Sequence, residues 1–346
     1  MKKLMITSAL VGSLFAGAAS AQTTVSGNLG ISYLATSNAS DNKGVNIGTF
    51  GRESQINISN KGKLNNGVDY VAGFSLEFDG GDNTGAASGS ITKANAIGQQ
   101  QENVYIDFIN GNTTFSVGVD HFQNTDTHIT NLVGFGYIGA DGINNAASMY
   151  PTSNASFYGN WGVGVAQKAM GGQFGLYYSP QMSNTATTDI GNTLTSAAQV
   201  DNNSGYELTY IGSLGVNGLS IVAGYARADS PTAGSKIGGD RIGVKYNLGA
   251  LTFAVDDVTA KVANTLDTDG RSYGVAYAVN KDVSVGVTYA EATREAAKDE
   301  ETVLIALGYN LGPVTVQAQH KIANNVGGGT GANDGTLTGI YLGTRF

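Results

Sequence analysis

From Gln22 to Phe346, apolar and small polar residues alternate with a period of two, in segments separated by turn-rich stretches, and no run reaches about 18 consecutive apolar residues. An extended segment with that pattern has one apolar and one polar face, so the sheet it builds must sit between two different environments. No segment carries the sustained 3.6-residue apolar stripe of a helix packed on a core. The final ten residues show the pattern clearly. Ile340, Leu342, Thr344 and Phe346 fall on one face, and Gly339, Tyr341, Gly343 and Arg345 on the other.

The alternation predicts strands near 25–35, 52–60, 68–78, 102–109, 113–119, 155–168, 173–179, 204–211, 219–226, 240–247, 251–258, 270–279, 283–290, 302–310, 314–320 and 337–346. Seven of the links between them are short, such as Asn110-Gly111-Asn112, Leu248-Gly249-Ala250 and Asn280-Lys281-Asp282; the other eight are longer, and Asp120 to Asn154 is the longest. A soluble sandwich has no reason to keep long and short links alternating so strictly. An even number of strands with that alternation closes on itself and brings both ends of the sheet to the short-turn side. Several segments fall short of the roughly 9 to 11 residues that cross a bilayer, so they are expected to lengthen into the adjoining loops. The fold class expected is all-β, a sixteen-stranded antiparallel transmembrane β-barrel. Only a closed sheet leaves no backbone group unpaired in lipid.

The amino terminus predicts export. Lys2 and Lys3 precede an apolar stretch from Leu4 to Phe15, and Ala19-Ser20-Ala21 supplies small residues for cleavage before Gln22. Residues 1–21 are therefore read as a signal peptide and 22–346 as the barrel. With no cysteine anywhere, no disulfide stabilises the chain. Removing Lys2 and Lys3 from 19 basic residues leaves 17 against 27 acids, a net charge of -10. An acidic chain without basic runs argues against nucleic acid as a partner. Aromatic residues near strand ends (Tyr33, Phe78, Tyr178, Tyr225, Tyr246, Tyr289, Tyr309) suit the girdles that meet lipid headgroups.

Particular stretches carry a family resemblance. They are V-S-G-N-L-G-I-S-Y at Val25 to Tyr33, G-R-E-S-Q-I-N-I-S-N-K-G-K-L-N-N-G-V at Gly51 to Val68, A-G-F-S-L-E-F at Ala72 to Phe78, and the closing Y-L-G-T-R-F. Taken with the whole pattern, they resemble the general diffusion porins of the Gram-negative trimeric family. The resemblance implies a homotrimer in outer-membrane lipid, with a long third loop folded into the lumen of each barrel. It also implies a water-filled channel for passive diffusion of ions and small hydrophilic solutes, and no enzymatic activity. The chain departs from many members in having Gly118-Val119-Asp120 where they carry Gly-Arg-Gln, and Ala155-Ser156-Phe157-Tyr158 where they carry a basic residue.

Parity assigns the candidate pore residues. Glu77, Asp107, Glu207 and Asp256 point inward, with Arg241, Lys245, Lys168 and Arg345 as basic counterparts, and Asp120, Asp126 and Asp141 lie on the long third loop. Arg52 joins the positive wall only if the chain bulges there, since strict alternation turns it outward. With net negative charge and a thinned basic cluster, weak cation preference is expected. His121, His128 and His320, in or beside loops, match no zinc spacing. The stretches Asp79 to Asn83 and Asp267 to Gly270 resemble fragments of calcium loops but lack the distal Glu. No cofactor is expected, peripheral calcium at acidic loops being the one binding left open. No G-x-S-x-G motif or phosphate loop points to catalysis. The alternative reading is a secreted or surface β-rich adhesion protein without channel activity.

Overall fold

The computed structural model describes residues 22–38, 47–79, 99–119, 129–133, 161–180, 204–229, 236–261, 268–294, 298–325 and 334–346. Sixteen strands make up nearly all of it: β1 (Gln22–Asn38), β2 (Ile47–Lys63), β3 (Asp69–Asp79), β4 (Gln99–Asn110), β5 (Thr113–Val119), β6 (Trp161–Ala169), β7 (Gly172–Ser179) and β8 (Gly205–Gly212). The second half comprises β9 (Leu219–Asp229), β10 (Lys236–Leu248), β11 (Leu251–Lys261), β12 (Thr268–Ala278), β13 (Val283–Arg294), β14 (Glu300–Leu311), β15 (Val314–Asn324) and β16 (Gly335–Arg345). Each strand pairs antiparallel with its neighbours in sequence, and β1 pairs with β16 to close the barrel. At the seam, Gly27 and Phe346 exchange two backbone hydrogen bonds of 3.0 Å each. The expected lengthening is found in β4, β9, β10, β11, β13 and β15, β13 running to Arg294 past its expected end at residue 290, whereas β5 keeps the seven residues Thr113–Val119 and β8 has eight.

Alternation decides which side of the wall each residue faces. In β6, Val163 and Val165 are exposed while Gly162, Gly164 and Ala166 are buried; β14 alternates likewise, with exposed Ile305 and Leu307 between buried Leu304, Ala306 and Gly308. The exposed set is Val, Leu, Ile, Phe and Tyr, the lining of a wall that faces hydrocarbon. The buried set is rich in Gly, Ala, Ser and Thr, which turn inward. Tyr33, Tyr178, Tyr225, Tyr246 and Tyr309 are all exposed on the outer face, as expected of girdle residues. Towards the long-link rim that face turns polar: Arg227 pairs with Asp240 at 3.1 Å, and Arg271 with Asp257 at 2.6 Å.

The short turns owe their shape to particular residues. Gly111 adopts a φ of 60°, the left-handed region that a side chain resists, where the chain reverses between β4 and β5. The turn between β12 and β13 has no glycine. There Asn280 folds back, its Oδ1 accepting hydrogen bonds from the backbone of Asp282 (2.8 Å) and Val283 (2.9 Å).

Candidate pore lining

Arg241 on β10 and Asp256 on β11 meet on the inner face. Gly243 lies directly opposite Asp256 and Arg241 opposite Val258, so the two charges sit on a cross-strand diagonal. The guanidinium donates twice, Nε to Oδ1 at 2.9 Å and Nη2 to Oδ2 at 2.5 Å. Both side chains are 1% exposed. A forked pair of this kind satisfies both charges at once, which is what allows either to be withdrawn from water. Arg241 is thus the counterpart of Asp256, as parity expects, but its charge is neutralised in place.

A five-residue piece of the link between β5 and β6 lies over this wall. The Thr130 hydroxyl shares a hydrogen bond of 2.8 Å with that of Ser272 on β12, and the Thr130 carbonyl accepts from Thr288 on β13 at 2.7 Å. Gln317 Nε2 on β15 donates to the Val133 carbonyl at 3.0 Å. Inward glycines make room for the segment. A Cβ at Gly274 would collide with the Thr130 carbonyl; one at Gly286 would stand 2.8 Å from Val133 Cγ2, and one at Gly243 would be 2.9 Å from both Ile129 Cγ2 and Asp256 Oδ1. Ile129, Thr130 and Val133 are buried as a result, with Ile129 standing over Gly243 on the same side as Asp256.

The other expected lining residues are more dispersed. Lys245 is half-buried on the inner face opposite Ala254, and Asp107 is half-buried opposite Ser116. Glu207 is fully buried between Tyr177 and Ala226. Lys168 and Arg345 stand exposed at the short-turn ends of β6 and β16, away from the Arg241–Asp256 pair. The backbone register sets Glu77 opposite Gln55 and Gln100, and Arg52 opposite Ile31; their side chains lie outside the described ones. Asp120, Asp126, Asp141, His121 and His128 lie outside the described residues. His320, expected at the end of its strand beside a loop, sits within β15, two residues beyond outer-facing Ala318, and its Nδ1 is 2.8 Å from Thr338 Oγ1.

Sequence reasoning passed over two buried inner charges, Glu300 (0% exposed) and Lys321 (6%). They extend the alternation of β14 and β15 just past the expected bounds of those strands, so the available signal was strand length. The docking of residues 129–133 was also unforeseen. Its signal is the recurrence of inward glycine on four strands, Gly243, Gly274, Gly286 and Gly308.

The model of the Gram-negative porin family matches residues 7–334. The chain belongs to that family. This porin is therefore an outer-membrane protein that forms a channel for passive diffusion. Its fold matches solved barrels at low identity. A mutant of Rh. blastica porin is 14% identical over 94% of this chain and 100% of its own, with a TM-score of 0.62. A loop-deletion mutant of OmpT, an outer membrane protein of Vibrio cholerae, is 14% identical over 95% and 100%, at 0.59. A further porin structure is 12% identical over 94% and 100%, at 0.57. No curated protein matches the chain.

Proposed function

We propose that this porin assembles as a homotrimer and that the long link from Asp120 to Asn154 narrows each barrel from within, its acids setting a weak preference for cations. The observation that supports this reading is the docking of residues 129–133 on the inner wall through hydrogen bonds to Ser272, Thr288 and Gln317. Asp126 lies three residues before this docked piece in the sequence, Asp120 nine before it and Asp141 eight after it, and that nearness is what assigns them here to the narrow part. Fixed charge in a narrow passage with low-dielectric walls raises the local concentration of counter-ions. Arg241 does not offset these acids, because Asp256 already holds it. Glu77 adds to the acidic side and Lys245 opposes it.

Zero-current potential in a KCl gradient tests the reading. Wild-type channels are expected to favour potassium weakly, and the double variant Asp126→Asn/Asp141→Asn to move toward anion permeation. An unchanged potential in that variant would mean the acids stand outside the narrow part. Migration of the unheated protein at the mass of three barrels, lost on boiling, is the expected sign of the trimer.

A further inference from the structure

We infer that the short-turn mouth of this porin carries a net positive ring that admits anions preferentially from that side and makes the ion current depend on the sign of the voltage. The ring consists of Lys61 on β2, Lys168 on β6, Lys245 on β10 and Arg345 on β16. Register places all four on the inner face: Lys61 opposite Gln22 and Val71, Lys168 opposite Gln173, Lys245 opposite Ala254, and Arg345 opposite buried Asn28. Each lies within three residues of the short-turn end of its strand, at Lys63, Ala169, Leu248 and Arg345. At about 3.4 Å per residue, that is within roughly 10 Å of the rim.

Opposing charge at this level is limited. Asp69 is engaged by Lys63 at 2.6 Å and Asp282 by Lys281 at 3.1 Å, so the opposing charge at this level is that of Asp107 and of the Phe346 carboxylate. Among the described residues, no ion pair holds Lys61, Lys168, Lys245 or Arg345. Deeper in the barrel, charges of opposite sign occur together. Arg241 is neutralised by Asp256, buried Lys321 shares the β14–β15 wall with buried Glu300, and Glu207 adds a further acid. The inner wall thus runs from balanced or acidic in its middle to basic at one mouth.

That asymmetry has a direction. The low-dielectric wall focuses the field of the ring, so anions are enriched at the short-turn mouth. With the long-link side positive, anions enter the pore from this enriched pool and raise its conductance. With the sign reversed, they enter from the end that has no such pool. The current should therefore be larger with the long-link side positive. The effect should be strong near 0.1 M salt, where the Debye length is about 10 Å, and fade near 1 M, where it is about 3 Å.

The inference rests on the barrel conducting ions, and single-channel recording in planar bilayers separates the two. The chain has no cysteine, so Asn112→Cys in the β4–β5 turn, treated with a membrane-impermeant charged thiol reagent from one chamber, reports which side the short turns face. At low salt the wild type should pass more current with the long-link side positive. The variant Lys61→Gln/Lys168→Gln/Lys245→Gln/Arg345→Gln should lose the asymmetry and shift its reversal potential toward cations. Should that variant fail to assemble, Lys168→Cys provides the same test in a folded channel, where an anionic thiol reagent added from the short-turn side should reduce the asymmetry. Symmetric low-salt current from conducting wild-type channels, or asymmetry that survives neutralisation, overturns this inference alone. No conductance from folded, inserted protein overturns the channel reading with it.

Discussion

At the scale of single residues, the Arg241–Asp256 pair carries a sharp expectation. Replacing Asp256 with Asn removes the counter-charge of a guanidinium that is 1% exposed. Breaking one side of a buried pair typically costs about 3–5 kcal/mol, whereas replacing both partners with apolar residues of similar size is often neutral. Asp256→Asn should therefore lower the temperature at which the folded gel band converts to the unfolded one, and Arg241→Met/Asp256→Leu should restore it. Equal losses in both variants would show that the pair contributes net stability beyond satisfying its own charges. Parity alone made this pair legible, since both residues fall on inward positions of adjacent strands. It could not reveal that residues 129–133 would dock on this wall, because nothing local to Asp120–Asn154 says which wall that link meets. The sequence does hold the complementary half of the answer, in glycines at inward positions where a packed core would carry larger side chains. Those glycines read equally well as an open lumen.

At the scale of the element, the β12–β13 hairpin tests the assignment of faces. Val275 and Val285 are 45% and 39% exposed on the outer face, while Ala276 and Ser284 are half-buried on the inner one. Val285→Lys or Val275→Lys places a charge on the lipid face, at a cost that is roughly 2–4 kcal/mol at the bilayer midplane and falls towards the interfaces, reducing the yield of assembled protein. Ser284→Lys and Ala276→Lys should assemble nearly as well as wild type, since both positions face the lumen. Equal yields from the two sets would mean the register has slipped by one, because a slip of one residue exchanges the faces. Strand identity was legible throughout this hairpin, and strand ends were not. The reason is chemical: near the long-link rim the outer face of β13 carries Glu291 and Thr293 in place of valine, opposite Arg271 and Asp269, and the apolar signal stops while the hydrogen-bonded ladder continues. Glu300 was missed for the same reason, its outer neighbour being Glu301.

At the scale of the whole molecule, closure governs stability. With no disulfide, the described fold is held by the ladders of sixteen strands, and each strand has a partner on both sides. Strand count and strict alternation of link lengths made this architecture legible in the sequence, because both are consequences of closing a sheet in lipid. Antiparallel closure also requires even parity. Deleting β8 and β9 together, Gly205 to Asp229, leaves β7 and β10 antiparallel and joined at the long-link side, with fourteen strands and the wall that contacts residues 129–133 intact. Deleting β16 alone leaves β1 and β15 running in the same direction, so the antiparallel seam cannot form and two unpaired edges face hydrocarbon, each unsatisfied backbone group costing several kcal/mol. The hairpin deletion should therefore insert as a heat-modifiable, narrower channel of lower conductance, and the single-strand deletion should accumulate as aggregate. Comparable insertion of the two would show that parity does not control closure in this barrel.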